Sequence, residues 1–97
     1  MSKREVQKQA LVDLRASIIG KNHTLPFTVY SDENIEDLLN VCPTTMEELV
    51  KIKGFPANGK RVKLFGEEIL RIFRGMAINT DAVVERVSRE FKSLNQF

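Results

Sequence analysis

Apolar residues fall at helical spacing along almost the whole chain. Val6, Ala10, Leu14 and Ile18 recur every fourth residue with Leu11 beside them. That stripe predicts an amphipathic helix from about residue 3 to residue 20, with Gly20 and Asn22 as its stop signals. Residues 21–30 hold Pro26 and the β-branched pair Thr28 and Val29, which favours an extended connection. Ser31 then stands as an N-cap ahead of acids that suit the positive end of a helix dipole. Ile35, Leu38 and Leu39 face inward on that helix, which ends before Pro43. Thr44 and Thr45 each precede a glutamate by three residues (Glu47 and Glu48), so either can form a capping box. The helix they open is short, with Leu49 and Ile52 inward and Gly54 as its end. After the loop Gly54–Gly59, the stripe resumes through Val62, Phe65, Ile69, Ile72 and Phe73 to about Arg74. Gly66 lies inside this helix, where glycine costs roughly 1 kcal/mol against alanine, and predicts a close helix crossing. Asn79 or Thr80 caps a last helix with Val83, Val84, Val87, Phe91 and Leu94 as its stripe. The pattern predicts an all-α, compact bundle of about five helices, a single domain over residues 1–97.

Composition narrows the function classes. At 97 residues, 42% apolar and 29% charged, the chain has the balance of one soluble globular domain. This length favours a binding module over a catalytic domain. Tryptophan is absent, so the core is expected to be mainly aliphatic, with Phe65 and Phe73 inside it. A single cysteine, Cys42, rules out an internal disulfide, and a single histidine, His23, rules out a Cys/His zinc framework. That usage fits a reducing, intracellular compartment. Cys42, before Pro43 at a helix end, is expected to be small and buried, and His23 to be a surface or loop residue. No apolar run approaches the roughly 20 residues of a spanning helix, and the opening MSKREVQKQA lacks the apolar segment of a secretion signal.

Net charge is only +2, but its distribution is uneven. Residues 31–48 hold six acids (Asp32, Glu33, Glu36, Asp37, Glu47, Glu48) and no Lys or Arg. Lys51 to Lys63 holds five bases and no acid. The switch predicts a two-signed surface whose basic part attracts phosphates. Gly54 to Lys60 matches the first seven positions of the phosphate loop G-x-x-x-x-G-K-[ST], but Arg61 stands where the magnesium-binding hydroxyl belongs. A helical pattern also precedes the loop where a buried strand is required, so no nucleotide site is expected. A short helix, a glycine-rich turn and a second helix opening with bases follow instead the logic of helix-hairpin-helix elements that hold nucleic-acid phosphates. The candidate nucleic-acid-binding residues are Lys51, Lys53, Lys60, Arg61 and Lys63, with Arg86 and Arg89 of the last helix expected to matter much less. Tyr30 and Phe55 sit in loops and are candidate base-stacking residues. The acids Asp32, Glu33, Glu36 and Asp37 lack the spacing of a calcium loop, and no metal or cofactor is expected.

From Leu11 to Gly75 the order of these features resembles the HRDC domain, the helicase-and-RNase-D C-terminal module. The resemblance lies in Leu11-Val-Asp-Leu-Arg15, in Leu25-Pro-Phe-Thr-Val-Tyr-Ser-Asp32 leading to Ile35-Glu-Asp-Leu38, and in Cys42-Pro-Thr-Thr-Met-Glu-Glu-Leu49. It continues through Ile52-Lys-Gly-Phe55 and Leu64-Phe-Gly-Glu-Glu-Ile-Leu70, and residues 76–97 supply a closing helix and tail. Leu14 stands where a tryptophan is common in the family, and the turn after Gly54 is about two residues longer than usual. The resemblance implies a non-catalytic helical module beside the motor of a RecQ-like ATP-dependent DNA helicase, or beside the nuclease of an RNase D-like exoribonuclease. The stretch from Pro26 to Asp32 is more similar to the helicase versions. The implied partner is then single-stranded or partly duplex DNA, with RNA as the alternative, and the helicase core of the parent chain as a second partner. A fragment or stand-alone copy is expected, monomeric and not membrane-bound, nuclear in a eukaryote and cytoplasmic at the nucleoid in a bacterium. The rival reading is protein docking through the acidic stretch from Asp32 to Glu48.

Overall fold

Helices α1 (Lys3–Asn22), α2 (Asp32–Val41), α3 (Met46–Leu49), α4 (Lys60–Phe73) and α5 (Thr80–Leu94) follow one another in the described chain. They belong to a computed structural model that describes the backbone of residues 2–22 and 29–94 and the side chains of residues 2–21 and 29–89. No strand occurs among the described residues, and no helix is long and apolar enough to cross a membrane. His23, the connection at 23–28 and the side chains of Phe91 and Leu94 lie outside the described residues.

Side-chain caps fix where three helices begin. Ser31 Oγ accepts the Asn34 N–H at 3.1 Å while Asn34 Oδ1 accepts the Ser31 N–H at 2.9 Å, closing a capping box at α2. Thr45 caps α3 through the Glu48 N–H (3.3 Å), and Asn79, not Thr80, caps α5 through the Ala82 N–H (3.1 Å). Helix α3 closes after one turn, so Ile52 is buried by the following turn, where its N–H donates to the Leu49 carbonyl at 3.0 Å. Helix α4 ends in a paired motif around Gly75 (φ 71°), with Met76 N–H to Arg71 O and Gly75 N–H to Ile72 O.

Helix α1 packs on α2, α4 and α5, while α3 lies across α4. The core joins Leu11, Leu14 and Ile18 to Ile35, Leu38, Leu49, Phe65, Ile69, Phe73, Val83 and Val87. Val6 departs from expectation: it is 52% exposed, and Gln7 is buried. Repeats of four residues drift about 40° per step on a helix of 3.6 residues per turn. Counted back from Ile18, Val6 has therefore rotated off the inner face, and the line Gln7, Leu11, Leu14, Ile18 follows the true pitch. Cys42 also departs from expectation, being exposed. It ends α2 in the left-handed conformation (φ 53°), its N–H donating to Leu38 O at 2.8 Å, and this turn buries Pro43 in its place.

Glycines at two positions carry different constraints. Gly54 has φ 93°, and a Cβ there would lie 2.6 Å from Asn34 Nδ2 of the α2 capping box. A Cβ on Gly66 would meet Met46 Cε and Leu49 Cδ2, both flexible side-chain ends, at 3.4 Å. Gly54→Ala is expected to destabilise the domain by about 1–3 kcal/mol from backbone strain, before any steric cost. Gly66→Ala, with a helix-propensity gain of up to about 1 kcal/mol, is expected to be near neutral. Chemical denaturation of the two variants checks the contrast.

Ion pairs tie α1 to α2. Glu36 receives Arg4 Nη2 at 2.8 Å and Lys8 Nζ at 3.1 Å, and Arg15 Nη2 lies 2.7 Å from Asp32 Oδ1. The Lys8 hydrogen bond and charge, with Arg4, hold the Glu36 carboxyl below its ordinary value of 4.5. Hydrogen bonds from Thr44 and then Thr45 do the same for Glu48. A lowered folded-state pKa means stabilisation that is present above the ordinary glutamate value and lost as pH falls below it. The melting temperature is therefore expected to fall on acidification below about 4.5, less steeply in Glu36→Gln than in the parent.

Candidate nucleic-acid interface

The basic segment is assembled by the turn between α3 and α4. Phe55 N–H donates to Ile52 O at 3.0 Å, and Gly59 N–H to Pro56 O at 2.8 Å, closing two successive tight turns between the helices. Phe55 is completely buried and anchors the loop. Gly59 is the N-cap of α4 in extended conformation (φ −78°, ψ 152°), and no side chain caps this helix. Its first turn carries Lys60, Arg61 and Lys63 and no acid, so the positive helix end and three cations reinforce one another. That arrangement disfavours the helix locally and favours an anion beside it.

The five candidate cations do not stand alike. Lys51, Lys53, Lys60 and Lys63 are exposed. Among the described residues, the side chains of Lys51, Lys53 and Lys63 make no hydrogen bond or ion pair. Arg61 is half-buried: its Nε donates to Val29 O at 3.1 Å and its Nη1 to Gly54 O at 3.2 Å. It pins the turn to the segment before α2, a structural task that spacing along the chain does not reveal.

Tyr30 and Phe55 are not stacking residues in this fold. Both are completely buried. Tyr30 Oη donates to the Leu11 carbonyl, and the ring meets Phe65 edge-on at 6.3 Å and 80°. Burial pushes the Tyr30 phenol well above its ordinary value, with the Arg15 charge acting in the opposite sense. A loop position does not entail exposure, and each ring plugs the core from the loop side.

Two shallow grooves meet at Lys63. One, of about 320 Å³, is lined by Ala57, Asn58, Gly59, Val62 and Lys63. The other, of about 270 Å³, lies between α4 and α5 and is lined by Lys63, Leu64, Arg86 and Arg89. Arg86 Nη1 donates to Leu64 O at 2.7 Å and lies 3.3 Å from the buried Glu68 Oε2. The fold therefore brings together the start of α4 and two arginines that lie more than twenty residues further along the chain. Spacing along the chain carries no signal of this, which follows from the packing of α5 along α4.

The acidic stretch has a different fate. Asp32 and Glu36 pair with α1, and Glu48 accepts the Thr44 N–H at 3.0 Å. Only Glu33, Asp37 and Glu47 of the six have neither an ion pair nor a side-chain hydrogen bond among the described residues. No group of three or more His, Cys, Asp or Glu able to hold a metal occurs among the described residues. The Gly54–Lys60 loop follows helix α3 and a turn, as its helical pattern predicts, which is the wrong setting for a nucleotide phosphate loop.

Compared with curated protein sequences and with solved structures, the chain gives no match. The family model of the HRDC domain matches residues 8–73, from the second turn of α1 to the end of α4. The match includes Arg15, Tyr30 and Asp32, which lock α1 to α2, and the whole α3–α4 turn. With well over half of its length covered, the chain belongs to the HRDC domain family.

Proposed function

We propose that this HRDC domain is a non-catalytic accessory module of a RecQ-like ATP-dependent DNA helicase that binds single-stranded or partly duplex DNA weakly and mainly through charge. The observation that carries this reading is the contrast between the two charged segments. Half of the acids from Asp32 to Glu48 are engaged within the domain, whereas Lys51, Lys53 and Lys63 point to solvent with no side-chain partner among the described residues. Phosphate contacts need only positive charge and N–H donors, and both converge at the start of α4. With Tyr30 and Phe55 in the core, no aromatic of the turn is placed for stacking, so affinity is weak and nearly indifferent to base sequence.

Reversing Lys60 and Lys63 together to glutamate is expected to remove most binding to a labelled single-stranded DNA. Lys3→Glu, at the start of α1, is expected to change it little. Tighter binding to RNA than to DNA would move the domain to an RNase D-like exoribonuclease. Absence of binding to either would leave protein docking, through Glu33, Asp37 and Glu47, as its role.

A further inference from the structure

We propose that the groove between α4 and α5, lined by Lys63, Leu64, Arg86 and Arg89, is a phosphate seat for a single nucleic-acid strand, continuous through Lys63 with the groove along Ala57–Gly59. This inference rests on the nucleic-acid reading above and specifies the path of the strand. Three cations from two helices converge on one open groove. Arg86 is held in place by the Leu64 carbonyl and by Glu68, so its guanidinium is positioned before any ligand arrives. Arg89 lies three residues further along α5, which places it on the same face as Arg86. Among the described residues its ion-pair partner is Glu85, at 3.9 Å in an exposed i,i+4 pair that competes weakly with a phosphate. Glu68 neutralises part of the Arg86 charge from below, so Lys63 and Arg89 supply most of the attraction.

The form of the groove suits a backbone rather than an enclosed small molecule. At about 270 and 320 Å³ the two grooves are at the lower limit of small-molecule pockets, which run from about 300 to 1,000 Å³. Both are open, and they share one lysine, so a chain can pass from one to the other without leaving positive potential. The strand then runs from the α3–α4 loop over Lys63 and along α5, a direction that distance along the chain disguises.

The test uses the 97-residue chain, a labelled oligothymidylate and fluorescence anisotropy. Arg89→Gln removes one phosphate contact at an exposed position, and is expected to weaken binding about fivefold at 0.1 M salt and to flatten the salt slope by about 0.7. Glu85→Gln frees Arg89 and is expected to tighten binding, a gain that misfolding cannot imitate. Glu47→Gln changes net charge equally on α3 and is expected to do less. If Arg89→Gln and Glu85→Gln bind like the parent while Lys60→Glu with Lys63→Glu does not bind, the strand avoids α5 and this inference fails, with the nucleic-acid reading intact. If the parent does not bind, both fail together.

Discussion

Phe65→Ala is expected to destabilise the domain by about 3–5 kcal/mol, the range for deleting a buried aromatic ring. Phe65 stands on the inner face of α4, almost fully buried, with the Tyr30 ring edge-on against it. In a chain with no tryptophan and six phenylalanines, its removal leaves a cavity that aliphatic neighbours fill only in part. Small domains have about 5–15 kcal/mol in total, so the loss is a large fraction. A domain of this size loses roughly 4–8 °C of melting temperature per kcal/mol, which predicts a fall of more than about 12 °C. Thermal unfolding followed by circular dichroism measures it. A shift of only a few degrees would contradict the packing described for α4.

Tyr30→Ala is expected to lose a similar amount, about 3–5 kcal/mol, for a related reason. The ring is completely buried between α1 and α4, and its hydroxyl donates to the Leu11 carbonyl. Tyr30→Phe keeps the ring and removes only that hydrogen bond, so about 0.5–1.5 kcal/mol is expected. The pair of variants separates packing from hydrogen bonding. The Tyr30 and Phe65 substitutions are also expected to be non-additive, with a coupling of about 0.5–1.5 kcal/mol from the edge-on contact. Equal losses in Tyr30→Phe and Tyr30→Ala would mean that the hydroxyl, not the ring, is what the core needs.

The helices and their caps are readable in the sequence because their causes are local. Ser31, Thr45 and Asn79 act within three residues of themselves, and the stripes of α2, α4 and α5 need only a 3.6-residue pitch. The inward turn of Pro43 and the outward turn of Cys42 depend on a left-handed residue at the end of α2, which a cysteine does not announce. The burial of Tyr30 and Phe55 is not legible along the chain, because exposure of a loop residue is decided by what packs beneath it, here α1 and α4 for Tyr30. Arg61 reads along the chain as one more cation, whereas in the fold it donates to the backbone carbonyls of Val29 and Gly54. Arg86 and Arg89 belong beside Lys63 only because α5 folds back along α4, a tertiary fact without a local signature.

Exposed lysines at the α3–α4 turn are expected to bind nucleic-acid phosphates. Anisotropy of a labelled single-stranded DNA, titrated with the 97-residue chain across a series of salt concentrations, tests this most directly. Three or four phosphate contacts, at about 0.7 each, predict a slope of log affinity against log salt of roughly −2 to −3. A slope near zero, or no binding at millimolar protein in low salt, would contradict it.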